Sequence, residues 1–139
     1  MALRTKSREF ALQMLFQWEV SRQEPAQLEM VFWRSARAQA STRAFANELF
    51  EGAAAETKRL DDLIGKHAEH WRVGRMSAID HAILRLAAYE MTRTSTPAKV
   101  ILDEAVNLAK KFSSEEAAPF VNGVLDAIAR STGAPKPAE

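Results

Sequence analysis

Phe10-Ala11-Leu12-Gln13-Met14-Leu15-Phe16-Gln17-Trp18-Glu19-Val20 is the stretch on which the fold turns. Ala11, Met14, Leu15 and Trp18 recur at spacings of three, one and three, which places them on one face of a helix and on no single face of a strand. Phe10, Leu12, Phe16 and Val20 widen the apolar face until it covers most of the circumference. A helix of that kind belongs at the centre of a core.

Reading outward, Pro25 stops or interrupts this first helix, and Leu28, Val31 and Phe32 predict a short second one. Ala46, Leu49, Phe50, Ala53, Thr57, Leu60 and Ile64 predict one long third helix ending near Gly65. Gly52 inside it costs about 1 kcal/mol relative to alanine, so a close helix crossing is expected there. The pattern restarts after Trp71. Ser77 followed by Asp80 forms a capping-box-like start before Ile79, Ile83, Leu86 and Ala87, with Asp80 at the positive end of the helix. Thr96-Pro97 signals another start, threonine as cap and proline pre-set for the first helical position, ahead of Ile101, Ala105, Leu108 and Phe112. Ser113 with Glu116 supplies a further cap before Val121, Val124, Leu125 and Ile128. Strand-type alternation is missing throughout. The expected architecture is all-α, about six or seven helices in a single bundle-like domain over residues 1–132. Residues 133–139, with one glycine and two prolines, read as a flexible tail.

Composition narrows the functions. The 139 residues are 47% hydrophobic and 27% charged, ordinary for a globular chain. There is no cysteine, which removes disulfides, thiolate metal sites and cysteine nucleophiles. The amino-terminal segment carries Arg4, Lys6, Arg8 and Glu9 and lacks the apolar run of a signal peptide, and no stretch is apolar enough for a membrane span, so a cytoplasmic protein is expected. The formal net charge is only +1, so a nucleic-acid site has to be a local patch rather than a global field.

Arg4, Lys6 and Arg8 are the first candidates for such a patch. Cations at a helix start oppose its dipole, which points to another benefit such as phosphate neutralisation; a frayed, solvated terminus explains them as well. Phe120 follows Pro119 at the opening of the last helix and reads either as core or as a stacking platform for an unpaired base. Asn122 can read a base edge or satisfy local backbone groups, and Gly123 reads as an allowance for close helix packing.

Three ordered segments carry a further reading: Ile83-Leu84-Arg85-Leu86-Ala87-Ala88-Tyr89-Glu90-Met91, then Asp103-Glu104-Ala105 within the helix that follows Thr96-Pro97, then Phe120-Val121-Asn122-Gly123. Together they resemble the NusB family of bacterial transcription antitermination factors. The resemblance implies a NusB-like helical bundle that binds a single-stranded RNA element, boxA, through the basic amino terminus (here Arg4, Lys6 and Arg8) and the phenylalanine of the FVNG motif, here Phe120. Arg85 matches the arginine of the family's ILR segment and belongs either to that surface or to a structural ion pair. A heterodimer with NusE, the ribosomal protein that doubles as a transcription factor, is implied, with Asp80, Glu115 and Glu116 matching an acidic face toward it, all within an antitermination complex on RNA polymerase. Two departures stand out. Thr5 and Ser7 interrupt the basic run, and Asp103 replaces the asparagine common in the INEA motif.

No cofactor or metal is expected. His67 and His70 do not form the His-Glu-x-x-His arrangement of a zinc protease, and His81 stands alone; the three read as exposed or capping histidines. Phosphate-cradling glycine loops and a nucleophile elbow are missing. The competing readings are the NusB-like module of an RNA cytosine methyltransferase and a purely protein-binding helical adaptor. The oligomeric state of the free protein, monomer or homodimer through the NusE-binding surface, stays open.

Overall fold

Why the chain folds as it does is clearest from what ends each helix. The computed structural model describes residues 2–68 and 76–133, Ala2 and Leu3 by their backbone alone; His70, Trp71 and the tail from residue 134 lie outside them. Among the described residues every regular element is helical: α1 (Ala2–Ser21), α2 (Pro25–Ser35), α3 (Ala40–Ala55), α4 (Thr57–His67), α5 (Ala78–Arg93), α6 (Ala98–Phe112) and α7 (Ala117–Thr132). They group into two compact units, Met1–Ala55 and Glu56–Glu139.

In the first unit α1 packs on α3 and α2. Ala11, Leu12, Met14 and Leu15 are fully buried, as their spacing predicts, whereas Phe16 and Val20 are exposed, so the apolar face is narrower than its composition suggests. Helix α1 ends where Arg22 turns left-handed (φ 55°) and its N–H donates to the Trp18 carbonyl at 2.8 Å. Pro25 occupies the first turn of α2, where a missing N–H costs nothing. Phe10, Phe32 and Trp33 meet edge to face, with centroids 4.9–5.9 Å apart, and the Trp33 indole N–H donates to Asn47 Oδ1 at 2.8 Å, pinning α2 to α3.

In the second unit α5 packs against α4, α6 and α7. Ile83, Leu84, Ala88 and Met91 are buried, with Ile101, Leu125 and Ile128 from α6 and α7. Ser77 caps α5 as its sequence predicts: its hydroxyl oxygen accepts from the Asp80 N–H at 3.1 Å. The other two start signals shift, by one residue at α6 and by three at α7, which Glu116 precedes. Pro97 is itself the residue preceding α6, and no side chain caps that helix. Ser114 rather than Ser113 accepts from the Ala117 N–H, at 3.1 Å, because the chain turns once more before α7 begins. Gly133 closes α7 in the left-handed conformation (φ 66°) that glycine adopts without strain.

The expected single long third helix is two. Glu56 leaves helical geometry (φ −118°, ψ 27°) between α3 and α4. Its carboxylate accepts from Arg93 on α5 at 2.7 Å and from Arg59 at 2.6 Å, and Arg59 reaches on to the Thr92 hydroxyl. The Ala-Ala-Ala-Glu-Thr stretch holds no glycine or proline to announce a break, and Arg93, the partner that ties Glu56 to α5, is distant in sequence.

Candidate nucleic-acid interface

Because α1 begins at Ala2, the three amino-terminal cations are helical rather than extended, and alternate positions cannot project together. Arg4 and Arg8, four apart, share a face. The Arg4 guanidinium lies 4.1 Å from the centroid of the Phe45 ring on α3, and that of Arg8 lies 5.7 Å from the same ring. Such contacts contribute roughly 0.5–2 kcal/mol, rising with desolvation, enough to offset the unfavourable helix dipole at this end. Arg8 is buried, only 5% exposed, while Arg4 is open to solvent. Lys6 points elsewhere: its ammonium is exposed, 3.5 Å from Glu9 and 5.2 Å from the Phe10 ring. The Ser7 hydroxyl between them is buried and donates to the Thr42 carbonyl at 2.9 Å, locking α1 onto α3. The exposed cations of the set are thus Arg4 and Lys6, on different faces.

On α7 the order Phe120, Val121, Asn122, Gly123 runs half-buried, buried, exposed, exposed. Val121 anchors the segment in the core and Phe120 sits at its edge, so part of its ring faces outward. Asn122 is on the open side. Gly123 does not serve close helix packing: a Cβ built there meets nothing within 4 Å. The glycine faces solvent rather than a neighbouring helix.

Arg85 is 5% exposed. Its Nε and terminal nitrogen donate to the two carboxylate oxygens of Asp61 on α4 at 2.9 and 2.8 Å, a bidentate pair, and His81 Nε2 lies 2.6 Å from the same carboxylate. Burial alone would raise the Asp61 carboxyl, but hydrogen bonds from His81 and Arg85 outweigh it and hold the group well below the usual carboxylate range. The guanidinium is therefore the structural ion pair that the sequence left as one of two readings, turned inward rather than toward a phosphate. His81 is a partner in that cluster, and His67 Nε2 sits 3.1 Å from the Ser131 hydroxyl at the end of α7.

The three candidate partner-binding acids differ in setting. Glu115 and Glu116 are exposed in the turn before α7, whereas Asp80 is half-buried in the first turn of α5. One Asp80 carboxylate oxygen is buried without a hydrogen-bond partner among the described residues, a cost that the helix's positive end reduces.

The model of the NusB family matches residues 5–130. This chain belongs to the NusB family. It is 44% identical to the transcription antitermination protein NusB of Solibacter usitatus over 137 residues, 97% of this chain and 94% of that protein. Its fold matches Thermotoga maritima NusB with a TM-score of 0.81 at 33% identity, covering 91% of this chain and 90% of that one. It also matches a NusB in the crystal structure of the antitermination factors NusB and NusE in complex with double-stranded RNA, with a TM-score of 0.82 at 26% identity over 94% and 98% of the two chains.

Two residues of this NusB-family chain escape a reading of its sequence. Phe45 lies off the apolar stripe of α3, and its value is as a surface for arginines about forty positions earlier. Asp61 looks like any solvated helix acid; only its 24-residue separation from Arg85, closed by the fold, gives it a role. No local signal marks either.

Proposed function

We propose that this NusB-family chain is a transcription antitermination factor that binds single-stranded boxA-type RNA together with NusE within an RNA polymerase antitermination complex, supporting transcription of ribosomal RNA. The observation that carries the reading is membership of the family over nearly the whole chain, alongside a shared fold with a NusB seen with NusE and double-stranded RNA. Residues 1–132 act as the RNA-binding module. Its contribution is assembly in the cytoplasm, without catalysis, metal or cofactor.

Arg4 and Lys6 supply exposed charge to phosphates, Phe120 offers part of its ring to a base, and Asn122 offers an amide to a base edge. Arg8 and Arg85 act from behind, the first by bracing the arm on Phe45 and the second by holding α4 to α5. Glu115, Glu116 and Asp80 face the basic partner NusE. With a net charge of +1, the protein alone has little electrostatic hold on RNA at physiological salt, so binding is strong only in the heterodimer.

Titrating a boxA-type oligoribonucleotide, as single strand and as duplex, with and without NusE, tests this. The expected result is single-strand binding that tightens when NusE is added. Tight, salt-insensitive binding of the duplex by the protein alone overturns it.

A further inference from the structure

A groove of about 720 Å³ runs between α6 and α7, inside the roughly 300–1,000 Å³ range of sites that hold small organic groups. Asp103, Asn107 and Lys110 line it from α6, one helix face at spacings of four and three; Glu115 and Asn122 line it from the turn and from α7. Val106, Ala118 and Pro119 add apolar surface. Its charged lining residues are Asp103, Lys110 and Glu115, two carboxylates and one ammonium, and Lys99 lies 3.6 Å from Asp103. A lining with more carboxylate than ammonium has no pull on phosphate. Two amides, each with donors and an acceptor, beside flat apolar surface are instead suited to a nucleobase, whose face is apolar and whose edge is polar.

Gly123, next to Asn122, independently points outward from the same helix. Glycine weakens a helix relative to alanine, and here its small size serves no internal neighbour, because an added Cβ meets open space. The bare backbone is of use only to something lying on α7 from outside.

We infer that the α6–α7 groove seats one base of the single-stranded RNA, with Asn107 and Asn122 hydrogen-bonded to its edge and Gly123 making room for the adjoining ribose. This rests on the RNA-binding reading above. The Asp103 carboxylate can only accept hydrogen bonds, so the favoured base is the one with most donors on its edge: guanine, with its ring N1–H and exocyclic amine, over uracil, with its N3–H alone.

The test uses the full chain with NusE, a boxA-type single strand, and a set of strands in which each amine-bearing base in turn is replaced by uracil. Wild type should discriminate at the position that occupies the groove. Asn107→Ala should bind the parent strand about tenfold more weakly, with an unchanged salt slope, and should lose that discrimination. Gly123→Ala should melt higher than wild type yet bind RNA roughly fivefold more weakly, a combination that misfolding cannot produce. If wild type binds and Asn107→Ala matches it on every strand, the groove is not a base site. Loss of NusE binding with RNA affinity intact would reassign it to the protein partner and overturn the inference as well. Failure of wild type to bind any single strand brings down the functional reading first, and the groove with it.

Discussion

Phe120 and Arg4 should weaken RNA binding by different physics, and salt separates them. Removing exposed cations in Arg4→Ala, Lys6→Ala should lower the slope of log affinity against log salt by up to about 0.7 per lost phosphate contact. Phe120→Ala should leave that slope nearly unchanged while costing about 1–3 kcal/mol of stacking. Because Phe120 is half-buried, its truncation should destabilise the fold by less than the roughly 3–5 kcal/mol of a fully buried phenylalanine. Should the mutant lose that full amount while its folded fraction binds RNA normally, the side chain is core. Asp61→Asn makes a separate demand, since it removes the negative charge that the Arg85 guanidinium and His81 share and leaves a single acceptor oxygen. Destabilisation of about 2–4 kcal/mol is expected by denaturant titration, somewhat less than for a wholly buried pair because the Asp61 side chain keeps 29% of its exposure. The depressed carboxyl sets the sign of the pH effect: this stabilisation is present above the unfolded carboxyl range, near pH 4, and is lost only as pH falls toward the lower folded value.

At the scale of elements, the start of α5 was legible to the residue and that of α6 to within one. The Ser113 signal stands three residues before Glu116, which precedes α7, and the hydrogen bond made by Ser114 is measurable. Ser114→Ala should cost less than the roughly 1 kcal/mol of a full cap, because the Ala117 N–H keeps the Ser114 carbonyl at 3.2 Å, and Ser113→Ala less still; equal losses in thermal melts would refute the assignment. The contact between α2 and α3 adds a pH dependence no periodicity announces. Burial, then the hydrogen bond and charge of Glu51, push the Glu29 carboxyl up from 4.5 to about 8. The fold therefore favours the protonated form. That stabilisation is full below about pH 4.5 and fades as pH rises through about 8. Glu29→Gln, which keeps a neutral donor in place, should melt higher than wild type at pH 8 and lack the wild type's decline between pH 5 and 8. A parallel decline in both proteins would place the titrating group elsewhere.

For the whole molecule, near-neutral charge makes partner choice a matter of local surfaces. Glu116 lies exposed in the turn before α7, away from the basic start of the chain in sequence, and Glu116→Lys should weaken the NusE complex in a pull-down while lowering the unfolding temperature only slightly, through a cation at the positive end of α7. Unaltered capture of NusE would show that the acidic face is elsewhere. What the residues settled unaided was helical class, the buried faces of α1, α5, α6 and α7, and the family, because apolar period and ordered motifs are local properties of the chain. Which charges are free was decided only by tertiary structure. Arg8 and Arg85 read like Arg4 as letters, yet one is buried near Phe45 and the other spends its guanidinium on Asp61. The break at Glu56 and the open side of Gly123 are of the same kind. Each depends on groups brought together, or kept apart, across tens of residues, and side-chain type alone carries no record of that distance.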